Sequence, residues 1–140
     1  MQISRKGKTD LLRKLPLFSE CSKRELEAVA AVTDELRLPA GRVLMREGET
    51  GRELVVLVDG EVGVERGGEQ LGRRGAGDFL GELALITHRP RSATVTTTTE
   101  TRALVIRGRD FERLGRYGPT IALQVLKAVG ARLPVDELSK

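Results

Sequence analysis

Residues 78–95, DFLGELALITHRPRSATV, decide the reading of this chain. A glycine and a carboxylate, Gly81-Glu82, stand where a short helix should begin, and Leu83-Ala84-Leu85-Ile86 can supply one helical turn. Nine residues beyond Glu82, across a loop containing Pro90, comes Arg91, followed by the small and hydroxyl residues Ser92, Ala93 and Thr94.

A helix start offers unpaired backbone N–H groups and the positive end of the helix dipole, and both favour an anion. Gly81 has no side chain, so a ligand can approach the backbone closely there. Arg91 returns across the loop as a planar guanidinium fork matched to two phosphate oxygens. Glu82 would be unfavourable against a phosphate but suits a ribose hydroxyl, as an acidic residue does in dinucleotide-binding folds. Taken singly, each residue has a plain structural explanation: a helix-start carboxylate for Glu82, surface charge for Arg91, strand propensity for Ser92 and Thr94, a turn for Gly81. Their joint spacing is what points to a phosphorylated sugar.

Outward from this segment the chain reads as helices at both ends and a glycine-punctuated β unit between them. Residues 9–14 form a short helix, and Ser22-Lys23-Arg24-Glu25 is a capping box opening a second one with Leu26, Val29, Ala30 and Thr33 on one side. From Glu35 the period changes: Leu36 and Leu38 alternate with polar residues, residues 43–45 and 54–58 are short apolar runs, and Val62 and Val64 alternate with Glu61 and Glu65. Strands resume at 93–99 and 102–107. Many short strands separated by glycine turns argue for a sandwich or a jelly roll. Helix returns after Arg109-Asp110 with Phe111 and Leu114, is interrupted by Gly118-Pro119, and continues with a stripe of Ile121, Val125, Leu126, Val129 and Leu133 until Pro134. The expected organisation is a flexible basic segment 1–8, one domain over 9–133 (helices 9–33, β unit 34–107, helices 109–133) and a short tail 134–140.

At 140 residues the chain has the size of one domain. Its core must be aliphatic, because aromatics are 3% and Trp is absent. No stretch approaches the ~18 to 20 apolar residues of a membrane span, and the polar, basic start is no secretory signal. A cytoplasmic location is expected, which the lone Cys21, a packed or passive thiol, also fits. The net charge of +4 comes from Lys and Arg spread along the chain, apart from Arg5-Lys6-Gly7-Lys8, Arg13-Lys14 and Arg73-Arg74, and reads as a solvated surface. His88 is the only histidine, which excludes a clustered-histidine metal site, and no nucleophile or P-loop motif is present. A binding and signalling protein is expected, without catalytic residues, metal or cofactor.

Residues 78–95 closely resemble the phosphate-binding cassette of the cyclic nucleotide-binding domain family, found in kinase regulatory subunits, nucleotide-gated channels and bacterial transcription regulators. Leu15-Pro16-Leu17-Phe18-Ser19, Gly41, Glu47-Gly48-Glu49 and Val58-Asp59-Gly60-Glu61-Val62 resemble that family in the order it uses them, so the likeness covers roughly residues 11 to 130. It implies an antiparallel β jelly roll, a double-stranded β-helix, with N-terminal and C-terminal helices and a short cassette helix. It also implies roles. Gly81 and Glu82 meet the ribose 2′-hydroxyl, Leu83 and Ala84 present backbone N–H groups to ribose or phosphate, and Arg91 binds the exocyclic phosphate oxygens. Ser92 donates from its N–H and can add a hydroxyl, while Thr94 contacts the base or packs. Val43, Leu71 and Leu80 are candidates for the apolar floor under the purine.

The R-S-A-T-V form points to cAMP as ligand, with cGMP as the alternative, because a hydroxyl at Ser92 can also serve the guanine amino group. Family members that bind DNA add a helix-turn-helix after the sensor, and no such element is expected before Lys140. The partner is then a protein effector. Apolar positions on the last helix suit core packing or a homodimer equally. Three readings follow: a cAMP sensor that signals by shifting its helices, a vestigial interaction module, and the sensor portion of a larger channel or enzyme.

Overall fold

Residues 54–58 form an unbroken apolar run, and a strand alternates its side chains between two faces, so such a run needs cover on both sides. The computed structural model, which describes residues 3–15, 17–81, 90–114 and 123, supplies that cover. The run lies in β3 (Glu53–Asp59), with Leu54 and Val56 facing a layer of helices and Val55 and Leu57 facing a second sheet.

The remaining strands are β1 (Asp34–Leu38), β2 (Val43–Met45), β4 (Glu61–Arg66), β5 (Glu69–Gly75), β6 (Phe79–Leu80), β7 (Thr94–Thr97) and β8 (Thr101–Arg107). They form two four-stranded sheets, ordered β1-β8-β3-β6 and β2-β7-β4-β5, and the pairings within them are antiparallel. The inter-sheet core is aliphatic, as the composition requires: Met45, Val55, Leu57, Val62, Leu80, Val95 and Ala103. This is the expected antiparallel β-roll with flanking helices.

The helices lie on the outer face of the first sheet, where Leu12, Leu17, Phe18, Leu26 and Val29 meet Leu54, Val56, Leu104 and Ile106. Helix α2 (Lys23–Val32) opens on the predicted capping box: Ser22 Oγ accepts from Glu25 N at 3.1 Å, and Glu25 Oε1 accepts from Ser22 N at 2.9 Å. Helix α3 (Gly108–Leu114) follows β8 directly and buries Leu114. No helix of the described residues is long and apolar enough to cross a membrane.

Several boundaries differ from the sequence reading. Helix α1 runs over Arg5–Lys14, so its first turn occupies the segment 1–8 that was expected to be flexible. One local cap and two long-range contacts fix it: Ser4 caps the helix by accepting from Gly7 N at 3.0 Å, Ile3 N donates to Glu35 Oε2 at 3.0 Å, and Lys8 Nζ donates to the Thr33 carbonyl at 2.8 Å. Strands β5 and β6 were not anticipated. β5 is an edge strand whose one apolar side chain, Leu71, is exposed, so it carries no alternation to read, and β6 is only two residues long. The cassette turn 83–86 and the stripe from Ile121 to Leu133, apart from Leu123, lie outside the described residues.

Candidate functional site

Two glycine-rich approaches to the second half of the roll bring the cassette arginine to the base of a cleft. Gly81 follows β6 with φ +83°, a left-handed conformation that L side chains rarely adopt. A β-carbon there would fall on the Glu53 carbonyl, within 2.6 Å of Arg91 Nη1 and 3.0 Å of Met45 Cε. Gly51 is packed as closely from the other side, since a β-carbon would stand 2.9 Å from Arg91 Nε and Nη2. The guanidinium thus passes between two backbone segments that only glycine allows so near.

Arg91 is 9% exposed, which a cation tolerates only with good partners. Its Nη2 donates to Glu53 Oε2 at 2.9 Å, and Nη1 and Nη2 both donate to the Glu53 carbonyl at 3.3 Å. Its backbone is fixed as well: Arg91 N donates to the Glu49 carbonyl at 2.9 Å, and its carbonyl accepts from Gly48 N at 2.9 Å. The segment Glu47-Gly48-Glu49 that stood out in the sequence is therefore the clamp on the arginine's main chain.

Around this arginine lies a cleft of about 190 Å³, walled by Val43, Met45 and Arg46 on one side and by Glu49, Gly51 and Glu53 on the other. Val43, Leu44 and Met45 contribute apolar surface to a lining that is mainly polar and charged, through Arg46, Glu49, Thr50, Glu53 and Arg91. A buried arginine in such a lining suits an anionic group carried on a partly apolar ligand.

The other predicted residues are placed as follows. Val43 lines the cleft and is 37% exposed. Leu80 is buried in the inter-sheet core and is not among the cleft-lining residues, because β6 turns its side chain toward Val55 and Val95 rather than outward. Leu71, on β5, is 49% exposed and likewise does not line the cleft. Ser92 is exposed, and its carbonyl accepts from Arg66 Nε at 2.8 Å. Thr94 opens β7 with its hydroxyl accepting from Glu47 N at 3.0 Å, which ties the clamp loop to the sheet. Glu82, Leu83, Ala84 and His88 lie outside the described residues.

Sequence reasoning missed Gly51 and Glu53. The signal for them was available in the physics: a buried guanidinium needs an anion, and the acid-rich stretch 47–53 preceding the most apolar strand is the natural source. A neighbouring contact leads out of the site. Arg52, the residue before Glu53, pairs through Nη2 with Glu112 Oε1 of α3 at 2.8 Å, and its carbonyl accepts from Gly108 N at the start of that helix.

Known proteins resemble this chain in sequence and in fold. The profile of the family described as "Cyclic nucleotide-binding domain" matches residues 35–116, more than half of the chain. The chain belongs to this family. The domain is 36% identical over 117 residues to a cyclic nucleotide-gated potassium channel of Rhizobium etli, covering 84% of this chain and 33% of the channel. It is 28% identical to a cAMP-dependent protein kinase regulatory subunit of Hypocrea atroviridis, covering 92% of this chain and 28% of that protein. Among solved structures, the N-terminal domain of a transcriptional regulator from Streptomyces coelicolor A3(2) superposes with a TM-score of 0.76 at 31% identity, covering 88% of this chain and 91% of that one. The chain spans about a third of the length of the curated relatives it matches. The family is one of sensor and regulatory domains rather than catalysts.

Proposed function

We propose that this cyclic nucleotide-binding domain is a cAMP sensor whose occupied cleft alters the surface it offers to a protein effector in the cytoplasm. The observation that carries the reading is the Arg91 guanidinium, buried at the base of a partly apolar cleft between Gly51 and Gly81. In this reading the exocyclic phosphate oxygens take the Arg91 fork and the N–H groups of the segment beginning at Gly81. Glu82 accepts from the ribose 2′-hydroxyl, Leu83 and Ala84 present N–H groups, Ser92 adds its N–H and hydroxyl, and Val43 supports the base. Thr94 holds the clamp loop, since its hydroxyl is already committed to Glu47 N. The contacts of Arg52 with Gly108 and Glu112 support α3 as the element that receives the change. The R-S-A-T-V form favours cAMP, and cGMP would be bound more weakly, by the roughly 0.5–1.5 kcal/mol that one net hydrogen bond decides.

The test is calorimetric titration of nucleotide-stripped protein with cAMP and cGMP, alongside Arg91→Lys. Lysine is the informative replacement because Arg91→Glu would bury a second carboxylate against Glu53, and loss of binding could then follow from loss of fold. Lysine keeps the charge and removes the fork, so affinity falls by about ten- to a hundredfold, the equivalent of roughly 1.5–3 kcal/mol for a charged hydrogen bond. A folded wild-type domain that gives no heat with either nucleotide overturns the proposal and favours an interaction module that works without one.

A further inference from the structure

The guanidinium assigned to phosphate already holds an anion. Its two kinds of contact with Glu53 differ in what it takes to break them. The Glu53 carbonyl belongs to β3, where residue 53 is in register with Arg107 of β8, so it cannot withdraw without disturbing the sheet. The Glu53 carboxylate is carried on a side chain that is 48% exposed and reaches Arg91 by one bond of 2.9 Å. The backbone carbonyl and the two glycine walls hold the guanidinium in place, and the carboxylate is the contact that can leave.

We infer that Glu53 is an internal competitor for Arg91: its carboxylate takes a guanidinium N–H that a phosphate would use and must be displaced, so Glu53 sets nucleotide affinity below what the bare arginine would give. The inference rests on the reading of Arg91 as the phosphate group's partner. The charges of the cleft agree with it. Among the described residues lining the cleft, the formal charges of Arg46 and Arg91 are matched by those of Glu49 and Glu53, so moving the Glu53 carboxylate out toward solvent is what makes the lining more favourable to a phosphodiester. A carboxylate left 2.9 Å from the same nitrogen would instead face the phosphate directly and repel it.

A positioning role makes the opposite prediction. If the carboxylate were needed to aim the guanidinium, neutralising it would loosen the arginine and weaken binding. If it competes, neutralising it tightens binding. The experiment titrates cAMP into wild type, Glu53→Gln and Glu49→Gln by calorimetry, with urea unfolding of each to confirm the fold. Glu49→Gln makes the same charge change in the same cleft at a residue whose contact with Arg91 is through its backbone carbonyl. Glu53→Gln is expected to bind about two- to fivefold more tightly, the range expected of a partly exposed ion pair that no longer has to be broken, with Glu49→Gln changing less.

Unchanged or weaker affinity in Glu53→Gln overturns the inference and leaves the sensor reading standing. Equal tightening in both variants also overturns it, because it would make the effect one of general field rather than of competition. If neither wild type nor Glu53→Gln binds cAMP, the cAMP-sensor reading falls and the role of Glu53 falls with it.

Discussion

Replacing Gly81 by alanine should cost far more than replacing Gly41 by alanine, although the two backbones are nearly identical. Gly81 has φ +83° and Gly41 has φ +85°. An L residue forced into this left-handed region costs roughly 1–2 kcal/mol, and that is all Gly41→Ala should lose, since a β-carbon there meets nothing within 4 Å. At Gly81 the added methyl lands on the Glu53 carbonyl, Arg91 Nη1 and Met45 Cε. None of these is the loose end of a free side chain: the carbonyl is in β3, the guanidinium is buried, and Met45 is 7% exposed in the inter-sheet core. Overpacking of this kind adds typically ~1–3 kcal/mol, which brings Gly81→Ala to about 2–5 kcal/mol. Urea unfolding of the two variants beside wild type measures the difference directly, and the comparison cancels the conformational cost they share. Gly81→Ala should also bind nucleotide more weakly by moving the guanidinium, while Gly41→Ala should not. Equal destabilisation of the two variants would show that Arg91 and β3 do not crowd Gly81, and would remove the close approach on which the site description depends.

Two further outcomes follow from the titrating groups. The backbone N–H of Ile3, helped by Arg37 and Arg102, holds the Glu35 carboxyl below its ordinary 4.5, so its contribution to stability is complete above that value and is lost as pH falls below it. Unfolding midpoints measured from pH 6 downward should therefore drop more steeply in wild type than in Glu35→Gln, and parallel curves would refute this. Burial, with lesser effects from Glu25 and Glu20, pushes the Cys21 thiol up to about 11. At neutral pH its thiolate fraction is about a hundredfold below that of a free thiol, so a thiol reagent should label the folded domain much more slowly than the urea-unfolded chain. Labelling at equal rates would show Cys21 to be exposed.

The parts of the fold legible in the sequence were those whose signal is local. The capping box at Ser22 and Glu25 is satisfied within four residues, and the run at 54–58 announces double-sided burial by composition alone. β5 was illegible because EQLGRRG gains its strand conformation from pairing with β4 rather than from any pattern of its own. The start of α1 was illegible for the same reason: a run as polar as Arg5-Lys6-Gly7-Lys8 reads as a loose end until Glu35 and Thr33, some thirty residues away, are brought beside it. At the candidate site, the cassette spacing singles out Arg91, whereas the stretch 47–53 offers Glu47, Glu49 and Glu53 and does not say which carboxylate meets it. Glu53 sits 38 residues earlier, and only the antiparallel return of the chain brings the two together. Leu80, expected on the ligand floor, packs in the inter-sheet core, and an apolar residue next to Gly81 gives no hint of which side of a two-residue strand it will take.

Arg52 and Glu53 are consecutive, Arg52 just ahead of β3 and Glu53 its first residue. One grips α3 through Glu112 and Gly108, and the other grips the guanidinium in the cleft. The main-chain contacts, from Gly108 to the Arg52 carbonyl and from Arg91 to the Glu53 carbonyl, are made by consecutive carbonyls of one stretch of backbone, whereas the ion pairs of Arg52 and Glu53 end on partly exposed side chains that can give. In mechanical language, on the sensor reading proposed above, the two carbonyls form a short crank between cleft and helix, and the two ion pairs are the springs beside it.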